Sequence, residues 1–385
     1  MRQEVACLAW LQLAKDKLRL AAAVAGITFA VVLMLVQLGF KETLIESAAL
    51  LYSHVNADLA LINPDYQYIL ATKNISKRRL YQALSFKGVQ SVGFINLGVV
   101  PWKNPQTLKE RIIFLVGLEP RIGVFDLPAI DAKIPELRNP DTVLYDVDSL
   151  PDFGPISKEF SEHQRVMTEV SGRKIQVVGL FKMGTSFGVD GTVITSDLNF
   201  CRLLSTQNPK LASIGLIKLK AGVDPEKMRD LMAAALPRDV RVLTRRQLIE
   251  LERGYWTTNT PIGFIFNLGV LMGLFVGCII VYQILYTDVS DHLSEYATLK
   301  AMGYPDRYLF SVVIQEALIL SLCGFLPGLI VSLIVYRVAA AATLLPLQMT
   351  VQRALIVYLL TAAMCALSGA LAMRRLNSAD PAEIF

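Results

Sequence analysis

The side chains that could do chemistry in this 385-residue sequence are few and scattered. Three histidines, His54, His163 and His292, share no metal-ligand spacing. Asp126 with Asp131, and Asp146 with Asp148, are carboxylate pairs of the kind general acid–base catalysis uses, but no partner motif accompanies them, so they read as solvated surface acids. There is no G-x-S-x-G, no H-E-x-x-H and no Cys/His pair, so an external hydrolase is not supported. There is also no G-x-x-x-x-G-K-[ST], so no phosphate-binding loop and no ATP site. No metal or cofactor is expected on this chain. Of the cysteines, Cys278, Cys323 and Cys365 fall in apolar segments, Cys7 lies near the N-terminus, and Cys201 is alone in the polar middle region. A lone cysteine forms no bridge within its region, and buried apolar thiols are the expectation.

One polar segment has the pattern of a working part. Residues 288–303 read D-V-S-D-H-L-S-E-Y-A-T-L-K-A-M-G. The segment has good helix formers, an acidic start and a terminal glycine, which predicts a short capped helix. Val289, Leu293, Tyr296 and Lys300 recur at four, three and four residues and so share one side. Such a helix between two apolar segments can dock into a groove on another protein.

The elements that position this helix are set by the lipid bilayer. The chain is 53% hydrophobic and only 18% charged, with a mean hydropathy of +0.45. Soluble domains carry about 25% charged residues. A helix needs about 20 apolar residues to cross the hydrocarbon core, and four stretches qualify: 20–40, 261–286, 309–336 and 354–373. The first is too long for a cleaved signal core and continues into the helical pattern Lys41-Glu-Thr-Leu-Ile-Glu46, so it is expected to stay as an anchor. Lys15, Lys17 and Arg19 before the first span, and Arg374 and Arg375 after the fourth, put both termini inside. The large region 41–260 is then outside, the loop 287–308 inside, the loop 337–353 outside and the tail 374–385 inside. Residues 1–19 form an interfacial helix with Trp10 as its membrane anchor. Span two carries Gly269, Gly273 and Gly277, four apart on one face, and span three carries Gly324 and Gly328 around Pro327. Such faces permit close helix packing within the subunit, or a sliding or dimer contact. Glu316 is the one charge inside a span and is read as capping or bonding a neighbouring helix. A net charge of +5 with no basic–aromatic patch gives no reason to expect nucleic acid.

Residues 41–260 read as a stalk carrying an α/β domain. Lys41–Val55 continues span one as a helix, and Thr244–Trp256 is its return partner. Strands are predicted at Leu59–Ile62, Val89–Val100, Ile112–Gly117, Thr142–Tyr145, Ile175–Leu180, Thr192–Thr195, Ile214–Leu219 and Arg241–Leu243, with helices at Ser76–Leu84 and Asp224–Ala235. A second, mostly β lobe is expected as an insertion at about 120–212. The fold class is thus a membrane α-helical protein with four transmembrane helices and a large α/β domain on a helical stalk.

The 288–303 segment also carries a resemblance. Val289, Glu295, Lys300, Ala301 and Gly303 resemble the motif that follows the second span of FtsX/MacB-type permeases, with His292 in place of the usual arginine and Ala297 in place of the first glycine. Arg374-Arg-Leu-Asn-Ser-Ala-Asp-Pro-Ala-Glu-Ile-Phe385 is similar to that family's ending. Leu8-Ala-Trp-Leu-Gln-Leu13, Ala25-Gly-Ile-Thr-Phe-Ala-Val31, Gln37-Leu-Gly-Phe40 and Glu295-Tyr-Ala-Thr-Leu-Lys-Ala-Met-Gly-Tyr304 resemble the DevC family of cyanobacteria over nearly the whole chain; Glu4-Val-Ala-Cys7 departs from it, where a proline is usual. The resemblance implies a MacB-like, non-catalytic permease of the inner membrane with a periplasmic domain, working as a homodimer in contact with membrane lipid. It implies a separate DevA-like ATPase that binds ATP and Mg, a DevB-like membrane-fusion adaptor and, through that adaptor, a TolC-like outer-membrane channel. Its cargo class is glycolipid, its mechanism mechanotransmission in a tripartite efflux system. Val289, His292, Leu293, Glu295, Tyr296, Leu299, Lys300 and Gly303 would form the ATPase-coupling helix. Two other readings stand beside it: an FtsX-like regulator of a cell-wall hydrolase, and a Lol-type lipoprotein-release permease.

Overall fold

The structure is a computed structural model that describes residues 17–376 apart from 121–122, 185, 187, 206, 293–297 and 299–301. The chain divides into two compact units, Met1–Thr43 with Ile262–Phe385, and Leu44–Pro261.

The first unit is built on four long helices: span one, Lys17–Ala48; span two, Pro261–Asp291; span three, Asp306–Thr343; and span four, Val351–Leu376. All four are long and apolar enough to cross a membrane. At 1.5 Å per residue the first is roughly 48 Å long, well beyond a hydrocarbon core of about 30 Å. Spans one, three and four overrun their apolar stretches at both ends, and span two overruns its own at the C-terminal end. Span one is the central staff of the unit: Ile27, Ala30, Val31, Met34 and Leu35 are fully buried. Span two presents Phe264, Leu271 and Phe275 outward, as a lipid-facing helix must.

The second unit is built on one nine-stranded sheet. Its strands are β1 Leu59–Ile62, β3 Val89–Lys103, β4 Glu110–Leu118, β5 Thr142–Asp146, β6 Val166–Val170, β7 Arg173–Phe181, β8 Thr192–Ser196, β10 Ile214–Leu219 and β11 Arg241–Thr244; β2 Ile75–Ser76 and β9 Leu211–Ala212 form a small ladder of their own. The order is β11-β1-β10-β3-β4-β8-β5-β7-β6. The fifteen-residue β3 does two jobs. Its first half pairs with β10 (Ile95 opposite Ile214), and its last residues pair with β6 (Trp102 opposite Val170). The pairing closes β3-β4-β8-β5-β7-β6 into a ring. Trp102, Phe153, Phe200 and Val170 fill its core, and the Trp102 indole Nε1 donates to the Phe153 carbonyl at 3.0 Å. Phe200 fits because Gly117 has no Cβ: one there would stand 2.6 Å from the Phe200 Cβ.

Residues 120–212, expected as an inserted β-rich lobe, share the sheet with the rest of the unit. Their strands β5 to β8 continue the sheet through β4 and β3. On the open half, helices Lys77–Leu84 and Pro225–Ala235 cover one face, with Leu80, Phe94, Met228 and Met232 buried between them and the strands. Strand β6 and the helices Ile156–His163 and Asp197–Leu203, which holds Cys201, lie outside the predicted elements. The span-one helix ends at Ala48, and Leu50–Ser53 follows as one further turn. On the return side, helix Arg245–Gly254 is closed by a capping box between Thr244 and Gln247 and runs into a π-helical turn, Tyr255–Asn259.

Candidate coupling site and helix-packing seams

The glycines of spans two and three lie along span one from two sides. A Cβ on Gly269 would stand 2.5 Å from the Gln37 side chain, one on Gly273 3.2 Å from Met34 Cγ, and one on Gly277 2.9 Å from the Ala30 Cβ and against Met364 of span four. On span three, a Cβ on Gly324 would stand 2.5 Å from the Ile27 Cβ, and one on Gly328 2.7 Å from Val31. The absent side chains let three backbones approach closely. At that approach the Thr28 hydroxyl reaches the Gly324 carbonyl at 3.1 Å.

A second tie, at the other end of the bundle, is invisible to sequence periodicity. The Arg353 side chain is 4% exposed. Its Nε donates to Glu42 Oε2 at 3.1 Å, Nη1 donates to the Tyr336 hydroxyl at 3.2 Å and to the Gln348 carbonyl at 2.9 Å, and Nη2 also bonds Glu42. Tyr336 in turn donates to the Leu35 carbonyl. One guanidinium thus joins spans one, three and four with its planar fork, which a lysine cannot copy. Sequence reading uses Arg353 only as a flank of span four; the missing signal is a partner 311 residues away.

At the span-two exit, Arg19 donates to Asp291 Oδ2 at 2.6 Å and lies 3.7 Å from Asp288. His292 Nδ1 sits 3.0 Å from the Asp288 carbonyl. Of the residues assigned to the coupling helix, Val289, His292 and Gly303 are described; Leu293, Glu295, Tyr296, Leu299 and Lys300 lie outside the described residues, as do Trp10 and the tail beyond 376. Val289 does not belong on a docking face. Span two continues as helix through Asp291, so Val289 completes the stripe Val281, Leu285, Val289 and packs, 3% exposed, against Val313 and Met373. Gly303 ends the loop at φ +92°, the left-handed conformation that favours glycine, followed by exposed Tyr304.

Two further expectations are corrected. Among the described residues Glu316 bonds no neighbouring helix: it is fully buried, and neither carboxyl oxygen has a hydrogen-bond partner there. Asp146 is no surface acid. It is 1% exposed because it staples a loop, accepting from the backbone N–H of Asp148 (3.1 Å), Met183 (3.3 Å) and Gly184 (3.3 Å). Burial outweighs those donors and pushes its pKa up to about 6. Asp126, Asp131 and Asp148 keep contact with solvent, as expected. Among the described residues no three metal-ligating side chains gather.

A bundle of four apolar helices carrying a large α/β sheet domain between the first and second defines the class. Residues 267–381, which hold most of span two, the loop after it and spans three and four, match the family FtsX-like permease C-terminal. Two uncharacterized ABC transporter permeases are similar at the sequence level. One, from Mycobacterium tuberculosis (strain CDC 1551 / Oshkosh), is 23% identical over 240 residues, and one from Mycobacterium bovis (strain ATCC BAA-935 / AF2122/97) is 24% identical over 242. Each alignment covers 62% of this chain, which spans 62% of the length of these relatives. Among solved structures, the periplasmic region of MacB from Actinobacillus actinomycetemcomitans overlaps 51% of this chain and 92% of its own (8% identity, TM-score 0.34). The extracellular domain of the noncanonic ABC-type transporter YknZ from Gram-positive bacteria overlaps 49% and 98% (12% identity, TM-score 0.35).

Proposed function

We propose that this chain is the permease subunit of an ATP-binding-cassette export machine of FtsX/MacB type. The observation that carries the reading is the FtsX-like match over 267–381, which takes in the 288–303 loop together with the three spans around it. In this reading the chain performs no hydrolysis. A separate ATPase holds ATP and Mg and docks on the inner loop through Leu293, Glu295, Tyr296, Leu299 and Lys300, with His292 and Gly303 framing the segment. Closure of that ATPase displaces the loop. The glycine seams Gly269–Gly273–Gly277 and Gly324–Gly328 and the Arg353 tie keep the helices together while they move. Both termini face the cytoplasm, Trp10 anchors the N-terminal helix at the inner surface, and residues 41–260 work in the periplasm.

The finer reading follows the DevC resemblance. Two copies of the chain pair with a DevA-like ATPase, a DevB-like adaptor and a TolC-like duct, and drive a glycolipid-class cargo outward. Support comes from the motifs 25–31, 37–40 and 295–304.

Leu293→Glu combined with Leu299→Glu tests the docking step. The ATPase that co-purifies with the unaltered chain is expected to be lost, with its turnover in the complex. Unchanged co-purification and turnover would refute the proposal. Orientation is tested at Leu198, 68% exposed in the sheet domain. A cysteine placed there in a cysteine-depleted chain is expected to react with a membrane-impermeant thiol reagent from outside; reaction only after lysis of the inner membrane would reverse the topology.

A further inference from the structure

One buried carboxylate in the sheet unit has more partners than the fold requires. Glu252 is fully buried in helix Arg245–Gly254. Its Oε2 accepts from the Tyr66 hydroxyl at 2.7 Å. Its Oε1 accepts from the Ile69 backbone N–H at 3.2 Å and from the Trp256 indole Nε1 at 3.1 Å. Tyr66 lies 2.6 Å, hydroxyl to hydroxyl, from fully buried Tyr52. The directions follow by elimination. A carboxylate accepts only, so Tyr66 donates to Glu252 and Tyr52 donates to Tyr66. Every contact to Glu252 is a donor, which favours the anion; burial works against it and pushes its pKa up.

The residues come from three segments of the chain. Tyr52 sits in the turn that follows the span-one helix. Tyr66 and Ile69 belong to the loop after β1. Glu252 and Trp256 lie in the helix and π-turn that precede span two. The same junction is held twice more. Arg245 Nε donates to the Tyr52 carbonyl at 3.2 Å, and Tyr68 stacks on Tyr255 at 4.5 Å and meets Trp256 edge-on at 5.6 Å.

We infer that Glu252 is the positioning residue that makes the segment leaving span one and the segment entering span two move as one body. A displacement carried by either segment then reaches β1 and β11, which adjoin them in sequence, as one movement. Its purpose rests on the permease reading above; the tie itself does not. Gln would not break the tie, because its oxygen can keep the Ile69 and Trp256 donors while its NH2 donates to a Tyr66 hydroxyl turned toward Tyr52. Met is unbranched and of similar length but accepts no comparable hydrogen bond, so Glu252→Met removes the hydrogen bonding and largely keeps the packing.

The test uses the full cysteine-depleted chain in lipid nanodiscs, with spin labels at the exposed positions Ser53 and Thr258. The unaltered chain is expected to give one narrow distance distribution, unchanged when the co-purifying ATPase is present with trapped ATP. Glu252→Met is expected to at least double the width of that distribution. Tyr66→Phe, which keeps the ring and removes one hydroxyl, is expected to do the same and decides the matter if Glu252→Met fails to fold. Variants as narrow as the unaltered chain, or an unaltered distance that shifts with nucleotide, would overturn the inference. If no ATPase is recruited, the permease reading fails while the nucleotide-free comparison still judges the tie.

Discussion

The glycine seams make a graded prediction, because the same Gly→Ala change meets different surroundings at 273 and 324. At Gly324 the new methyl would stand 2.5 Å from the Ile27 Cβ. Carbon atoms in contact settle near 3.5–4.0 Å, so spans one and three must part by about 1 Å or more. A gap of that size forfeits roughly a quarter to a half of each contact's attraction along the seam. It also stretches the bond from Thr28 to the Gly324 carbonyl, now 3.1 Å, beyond useful range. Overpacking costs about 1–3 kcal/mol, and an interhelical hydrogen bond in a membrane is worth about 0.6 kcal/mol or more. The expected loss for Gly324→Ala is therefore about 2–4 kcal/mol. At Gly273 the nearest atoms are Met34 Cγ at 3.2 Å and the Ala30 carbonyl oxygen at 3.4 Å, and the methionine chain is flexible. The expected loss there is within about 0.5 kcal/mol, since alanine's better helix propensity offsets the crowding. Unfolding by titration with a denaturing detergent in mixed micelles, followed by helicity, reads both variants on one scale. Ile27→Ala should not rescue Gly324→Ala, because the clashing Cβ remains. Equal stability of the two glycine variants, or full rescue by Ile27→Ala, would refute the argument.

Replacing Arg353 by Lys should lower the stability of the helix bundle by about 1–3 kcal/mol in the same titration, since the fork to Glu42, Tyr336 and Gln348 is lost and half-exposed Glu42 is partly rescued by water. Thr244→Ala should cost about 1 kcal/mol through loss of the capping box, read as a lower midpoint for the sheet unit in thermal unfolding. Asp146 predicts a pH dependence. Its folded pKa, about 6, lies above its unfolded value, so its contribution is fully present below about pH 4 and is lost as pH rises through 6. By about pH 7 the loss amounts to about 3 kcal/mol at most. Asp146→Asn should flatten the sheet unit's stability between those limits, and a retained slope would assign the effect to another group.

Much of the architecture is legible in the residues because the bilayer imposes a simple rule. Runs such as 20–40 and 354–373 have no alternative to crossing as helices. Strands with strong alternation or β-branched runs, such as Leu59–Ile62 and Ile214–Leu219, coincide with the observed β1 and β10 to the residue. Val166–Val170 is less legible, since V-M-T-E-V is short and places the apolar Met167 on the exposed face. Nothing local says that β3 is long enough to pair at both ends, so ring closure could not be read. The same holds for Val289: helical spacing puts it on a face, but which face is covered depends on Val313 and Met373, far along the chain. Arg353 with Glu42, and Glu252 with Tyr66, are pairings across 311 and 186 residues, and a single sequence holds no trace of them.

The position of β1 in the sheet bears on how the protein is made. Both neighbours of β1, β10 and β11, are synthesised more than 150 residues later. At about 5–20 residues per second the strand waits roughly ten to thirty seconds with two unsatisfied edges. Such non-local pairing is slow to form and prone to adhere to other chains while it waits. The ring strands β3 to β8 all precede β10, so they can close first and leave β3 as the template on which β10, and then β1, assemble. The strand nearest the first membrane helix is thus among the last to find its place.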